Sequence, residues 1–164
     1  MKFFKPKFWD KKQISVFSIL LIPIAFLIKF LNFFRRSFNK KHVCSIPVIC
    51  VGNIYLGGTG KTPFCIELFS ILKSLNKNPV FIRKKYESFQ DEVNLLKQVG
   101  PLYESNKRIN ALNNAVQGKA DVAILDDGFQ DFSINKDLSL VCFNEKQWIG
   151  NGLVIPSGPL REGI

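Results

Sequence analysis

A chain of 164 residues has the size of one ordinary domain, and 22% charged beside 46% hydrophobic residues is the balance of a sequence that folds around a core, which excludes wholesale disorder. The net charge of +10 first suggests nucleic acid, but residues 1–42 hold ten Lys/Arg against Asp10 alone, while residues 43–164 hold thirteen against twelve acids. No basic stripe crosses the folded part, so nucleic acid is set aside as a partner, and a basic cluster beside an apolar segment points to an anionic membrane surface.

The first predicted element is that apolar segment. Gln13 to Ile28 carry no charge, and apolar residues resume after Lys29 up to Phe34, close to the roughly 20 residues of a spanning helix. Phe33, Phe34, Arg35 and Arg36 stand where a cleaved signal peptide would need small residues. Lys2, Lys5, Lys7, Lys11 and Lys12 flank one end and Arg35, Arg36, Lys40 and Lys41 the other, so the positive-inside rule assigns neither end outward. Ser15, Ser18, Ile22, Ala25, Lys29, Asn32 and Arg36 recur at helical spacing and form one small and polar stripe. The pattern favours an in-plane helix or a shallow hairpin bent at Pro23 over a full span. Residues 1–42 are therefore read as a membrane-anchoring segment and residues 43–164 as the folded lobe.

The lobe reads as α/β. Val48 to Val51 is a short buried strand ending at Gly52, Lys61 to about Leu75 a helix, Pro79 to Ile82 a strand, Glu92 to Val99 a helix and Asn110 to Val116 a weaker one. Val122 to Leu125 and Leu138 to Phe143 complete the strands. Strands alternating with helices predict a parallel sheet covered on both faces. Cys44, Cys50, Cys65 and Cys142 show no C-x-x-C spacing, and His42 is the one histidine, so reduced thiols are expected rather than a zinc site or a disulfide framework.

Between the first strand and the first lobe helix stands Tyr55-Leu56-Gly57-Gly58-Thr59-Gly60-Lys61-Thr62, the place for a phosphate-binding loop. Its glycines let backbone N–H groups turn toward phosphate oxygens at a helix N-terminus. Lys61 would reach the β- and γ-phosphates of ATP, and the Thr62 hydroxyl would bind Mg²⁺. The strict pattern begins with Gly where this chain has Tyr55. Leu125-Asp126-Asp127-Gly128 ends an apolar strand, which puts two carboxylates at the carboxyl edge of the sheet, where an acid partners the Mg²⁺ of such a loop. Taken alone, Asp-Asp-Gly is also ordinary turn chemistry. Asp91 and Glu92 open a helix, where acids favour the dipole. Gly150-Asn151-Gly152 and Pro156 to Glu162 form a turn-rich loop in which Arg161 could pair with a phosphate.

Together these residues resemble the tetraacyldisaccharide 4′-kinases (lipid A 4′-kinases) of lipopolysaccharide synthesis. The resemblance runs through Val51-Gly52-Asn53, Gly57 to Pro63, Arg83, Asp91-Glu92, Asp126-Asp127-Gly128-Phe129-Gln130, Asp137-Leu138 and Gly150-Asn151-Gly152 to Glu162. A non-Gly first loop position is usual in that family. The resemblance implies a P-loop kinase fold and transfer of the ATP γ-phosphate to the 4′-hydroxyl of a tetraacylated disaccharide 1-phosphate, at the cytoplasmic face of the inner membrane. It implies Lys61, Asp91, Asp126 and Asp127 as catalytic residues, with Asp91 accepting or orienting the sugar hydroxyl proton and Asp126 and Asp127 organising Mg²⁺. It further implies Arg83, Gln130 and Arg161 toward the substrate, and Thr62, Asp127 and Glu162 toward Mg²⁺. The chain departs from the family at Lys84-Lys85-Tyr86, where Gly-Tyr-Gly is usual after Arg83, and at Asp131, commonly His. The family also continues past the position of Ile164 into a second lobe that contributes a catalytic His. The chain alone is accordingly expected to bind nucleotide with weak or absent lipid phosphorylation. Two other readings stay open: a membrane-associated P-loop ATPase of the partitioning class, which carries Lys where this chain has Leu56, and a nucleotide-binding remnant without transfer activity.

Overall fold

The computed structural model describes residues 5–10, 13–38, 40–86 and 90–163. The chain runs through α1 (Val16–Phe38), β1 (Val48–Gly52), α2 (Lys61–Ser74), β2 (Pro79–Lys84), α3 (Gln90–Val99), β3 (Leu102–Ser105), α4 (Arg108–Gln117), β4 (Val122–Asp126) and β5 (Leu138–Val141). It forms two compact units, one of Lys40–Asn53 and Gly60–Cys142 and the other of Met1–Asn39, Ile54–Thr59 and Phe143–Ile164.

The first unit is a five-stranded sheet in the order β3-β2-β4-β1-β5, with every pairing parallel. The apolar runs of β1 and β4 are central strands, buried nearly throughout, as a parallel sheet covered on both faces requires. Alternation along each strand sorts the core into two layers. Val48, Cys50, Val80, Ile82, Ala123 and Leu125 pack with Ala111, Leu112 and Ala115 of α4. Val51, Phe81 and Ile124 pack with Cys65 and Phe69 of α2 and Leu96 of α3. Gly52 ends β1 where a Cβ would lie 2.5 Å from the Phe129 Cβ, so the close approach of the chain after β4 requires glycine there.

The helices and the four predicted strands fall where the sequence places them, with two differences. Leu102–Ser105 is an additional edge strand, whose four half-buried residues after Pro101 carry too little apolar patterning to read. β5 ends at Val141 rather than at Phe143. Cys142 still donates its N–H to the Gly52 carbonyl at 2.8 Å, but Phe143 belongs to the other unit, where its ring packs on Trp148.

In the second unit the buried Trp9 is gripped from two sides: its indole N–H donates to the Pro156 carbonyl at 3.1 Å and its own carbonyl accepts from Asn151 N–H at 3.0 Å. Asn151 also donates its side-chain amide to Ser18 Oγ at 3.1 Å and to the Ser157 carbonyl at 2.9 Å. Leu56 N–H bonds the Pro159 carbonyl and Arg161 N–H the Ile54 carbonyl. Those bonds correct the division at residue 42: residues 143–164 and 54–59 pack with the N-terminal segment, so the compact units interleave along the chain.

α1 is one unbroken helix through Pro23, not a hairpin. A single proline removes one N–H from the ladder, and the apolar run continues on both sides of it. Its buried residues, Ser18 and Ala25, are small, whereas Phe17 (70%), Leu20 (75%) and Phe26 (70%) are exposed. The predicted stripe is the inward face at Ser15, Ser18, Ala25 and Asn32, whereas Ile22, Lys29 and Arg36 are exposed and Leu21, outside the stripe, is half-buried. Among the described residues α1 is long and apolar enough to cross a membrane.

Leu112 is fully buried between α4 and the sheet. L112A is expected to lower unfolding free energy by about 2–5 kcal/mol in urea titration, because the cavity adds to lost transfer energy. L95A, on a half-exposed side chain of α3, is expected to stay within about 0.5 kcal/mol.

Candidate active site

Parallel strands gather their ligand-binding residues at the carboxyl edge. The register pairs Val51 of β1 with Asp126 of β4, and Ile82 of β2 with Leu125, so the ends of β1, β2 and β4 stand side by side. After β1 the chain passes through residues 54–59 to Gly60, which caps α2 at φ +76°, a left-handed conformation that glycine adopts without strain. Phe64 N–H donates to the Gly60 carbonyl at 3.2 Å and starts the helix. Lys61 and Thr62 thereby fall in its first turn, with Thr62 buried.

Lys61 Nζ lies 3.7 Å from Asp127 Oδ1. Asp127 is 34% exposed in its side chain and has a left-handed backbone, φ +54°. Its neighbour Asp126 is different in kind. Asp126 is 1% exposed, its Oδ2 accepts from Arg83 Nη1 at 3.0 Å, and its Oδ1 faces the Cys65 thiol at 3.8 Å. Burial raises the Asp126 carboxyl above its ordinary 3.8; Arg83 opposes that, Asp127 and Glu92 add to it, and Lys61 opposes it again. Burial and the Asp126 charge also hold the Cys65 thiol far above its usual range, so it stays protonated as a donor.

The second arm of Arg83 pairs with Glu92. Because Glu92 sits in the first turn of α3, this bond ties that helix to β2 and, through Arg83, to β4. Asp91 is the residue before it, exposed at the same sheet edge, and among the described residues it makes no hydrogen bond or ion pair. Gln130 Nε2 donates to the Asn53 carbonyl at 2.9 Å and fixes the exit of β1. Arg108, the first residue of α4, donates Nη2 to the Asp127 carbonyl at 2.7 Å and pairs with Asp131 at 3.2 Å. Burial alone would raise the Asp131 carboxyl, but hydrogen bonds from Ser133 and the charge of Arg108 together hold it below its ordinary value.

The other unit carries the remaining predicted residues. Tyr55 is buried, its hydroxyl bonds Asp10 and Lys5, and Lys5 Nζ lies 4.9 Å from its ring centroid, so only the backbone of Tyr55 is left for a ligand. Leu56 is half-buried, Gly57 and Gly58 are exposed, and Thr59 Oγ1 is buried without a partner among the described residues. Arg161 and Glu162 are half-buried in this unit.

Contacts thus bring together Lys61, Asp127, Asp126 and Arg83. Arg83 was expected toward a substrate, but both its arms are taken by carboxylates and its side chain is 7% exposed, so here it organises the site. Gln130 likewise spends its amide donor on the backbone of Asn53. Arg108, Asp131 and Glu92 escaped sequence reasoning as partners. Their mates lie 9 to 23 residues away in other elements, and no local spacing marks such pairs.

The chain matches the family model described as tetraacyldisaccharide-1-P 4′-kinase over residues 17–164. It belongs to that family. It is 49% identical over 164 residues to the tetraacyldisaccharide 4′-kinase of Pelagibacter ubique (strain HTCC1062), a match that covers all of this chain and 52% of the relative. It is 34% identical over 178 residues to that of Rickettsia bellii (strain OSU 85-389), covering 99% and 55%. Among solved structures it is similar to LpxK from Aquifex aeolicus, described as an "apo" form in complex with ATP: TM-score 0.72, 27% identity, 88% of this chain and 54% of that one. The chain spans about half the length of the relatives it matches.

Arg83 is the support whose loss the geometry makes most costly. R83M leaves the buried Asp126 without its cation and is expected to lower unfolding free energy by about 3–5 kcal/mol in urea. E92Q acts on a carboxylate that is 44% exposed and is expected to cost under about 1 kcal/mol.

Proposed function

We propose that this chain is the nucleotide-binding half of a tetraacyldisaccharide 4′-kinase, which transfers the γ-phosphate of ATP to the 4′-hydroxyl of a tetraacylated disaccharide 1-phosphate. One observation carries the reading: a lysine in the first turn of a glycine-capped helix after β1 stands 3.7 Å from the carboxylate of Asp127, the residue that follows β4. That is the pairing a P-loop lysine and a metal-binding acid adopt around nucleotide phosphates.

The residues fit Mg²⁺. Among the described residues no group of three or more His, Cys, Asp or Glu could hold an ion by itself. A partly exposed carboxylate beside a helix-start hydroxyl suits a cation that keeps waters and takes phosphate oxygens. Thr62 and Asp127 would hold it, with Glu162 as the expected further ligand. Bound there, Mg²⁺ neutralises charge on the β- and γ-phosphates. Backbone N–H groups of Gly57 to Thr62 would cradle the phosphates, and Lys61 would neutralise the oxygens between them. Asp91 would accept the proton of the sugar hydroxyl as its oxygen forms a bond to the γ-phosphorus and the bond from that phosphorus to the β-phosphate oxygen breaks. Arg161 would face the acceptor. Positioning and charge neutralisation supply most of such a reaction.

The same reading places the protein on the cytoplasmic face of the inner membrane as a peripheral or monotopic enzyme. The outward apolar side of α1 and the basic residues 1–42 support it: bulky apolar side chains face away from the protein and cations stand beside them.

ATP with Mg²⁺ is expected to raise the thermal midpoint, in line with about 2.7 kcal/mol at a hundred times Kd, and K61A to abolish the rise. In a protein of full family length, D91N should retain ATP binding and lose about 10²- to 10⁴-fold in radiolabelled phosphate transfer to the disaccharide lipid. An unchanged ATP response in K61A refutes the nucleotide site.

A separate measurement addresses α1. Binding to phosphatidylglycerol vesicles in sedimentation is expected to exceed binding to phosphatidylcholine vesicles at low salt. The double variant L20D/F26D, which puts charge on the outward face, should bind neither; retention of binding defeats the assignment of that face to lipid.

A further inference from the structure

Asp127 has its carboxylate within reach of Lys61 while its backbone sits at φ +54°, a left-handed conformation that costs energy for any residue but glycine, though less for Asp and Asn than for others. Such a conformation persists only where neighbours over-determine it. Here the residue is gripped at both ends. Its N–H donates to the Val51 carbonyl of β1 at 3.0 Å, and its carbonyl accepts from Arg108 Nη2 of α4 at 2.7 Å. The second grip is built with some care. Arg108 is buried, its Nη1 pairs with Asp131, and Asp131 is itself oriented by hydrogen bonds from the Ser133 N–H and hydroxyl. One guanidinium therefore serves a carboxylate and a carbonyl together, a fork that lysine cannot reproduce.

We propose that Arg108 is a positioning residue for Asp127: by holding the Asp127 carbonyl it fixes the left-handed backbone that aims the Asp127 carboxylate at the metal and at Lys61. The proposal rests on the nucleotide-site reading above. Arg108 reaches Asp127 through its backbone carbonyl and not through the carboxylate. Asp131 has a different task, which is to neutralise a buried cation. Removing its charge leaves the bond from Arg108 to Asp127 available.

The test separates these roles by the Mg²⁺ dependence of ATP binding, read by equilibrium dialysis of radiolabelled ATP in a protein of full family length. Supports of a metal ligand commonly contribute 10- to 100-fold to metal affinity. R108K is expected to raise the Mg²⁺ concentration for half-maximal ATP retention about tenfold, while D131N moves it less than about threefold. Where R108K does not fold, R108M/D131N removes cation and carboxylate together, strands no buried charge, and should show the same tenfold shift. D127N should raise the midpoint by itself, and R108K added to D127N should raise it no further, because the two act as one unit. An unchanged midpoint in R108K or R108M/D131N beside a shifted D127N overturns the role of Arg108 alone, as does full additivity in the double variant. A D127N midpoint equal to wild type overturns the nucleotide-site reading and this proposal with it.

Discussion

The sheet edge depends on one buried cation. Arg83 reaches Asp126 with one arm and Glu92 with the other, and neither Arg83 nor Asp126 has appreciable access to water. Taking such charges out of water costs several kcal/mol per ion, and their attraction returns that only when geometry is good on both sides. The arrangement is therefore weak evidence of stability and good evidence of placement. It links β2, β4 and the start of α3. Asp91, one residue from Glu92, inherits its position from this link. The raised Asp126 carboxyl is the cost of the same design, since burial disfavours the charge that Arg83 requires.

Much of this was legible in the residues, and what was not shares a physical reason. β1 and β4 are short apolar runs bounded by glycine or acid, and such runs announce buried strands without help from elsewhere. The nucleotide loop and the paired aspartates are local strings, so spacing alone exposes them. β3 has four residues, of which only Leu102 and Tyr103 pack against the core layers, and it becomes a strand because β2 offers it an edge. Arg108 with Asp131, and Arg83 with Glu92, are long-range pairings between elements, invisible until the fold closes. Tyr55 lies in the same loop string, and its ring and hydroxyl are committed to Lys5 and Asp10, a pairing that no local spacing announces.

The second unit applies the same economy to a different problem. A helix with Phe17, Leu20 and Phe26 outward and Ser18 inward reverses the usual order of a soluble protein. The inward Ser18 is satisfied by protein rather than water: it takes a hydrogen bond from Asn151, which also bonds the Ser157 carbonyl and accepts from Leu153 N–H through Oδ1. Asn151 lies in the turn-rich string that marked the family resemblance. Its residues serve α1 at least as directly as any ligand.

Two adjacent carboxylates at a strand end read alike in a sequence, and the fold makes them unlike. Asp126 points into the sheet with Arg83 on one oxygen and a protonated thiol near the other, which leaves it little to offer an ion. Asp127 follows with a left-handed backbone, its carboxylate one-third exposed and facing Lys61. Only the second has the access to water that a hydrated cation needs. A turn that costs conformational energy is thus the step that converts a repeated residue into two functions, one structural and one directed at ligand. The hydrogen bond from Arg108 to the Asp127 carbonyl acts at that step, which is why a residue outside every recognisable motif bears on the chemistry of the site.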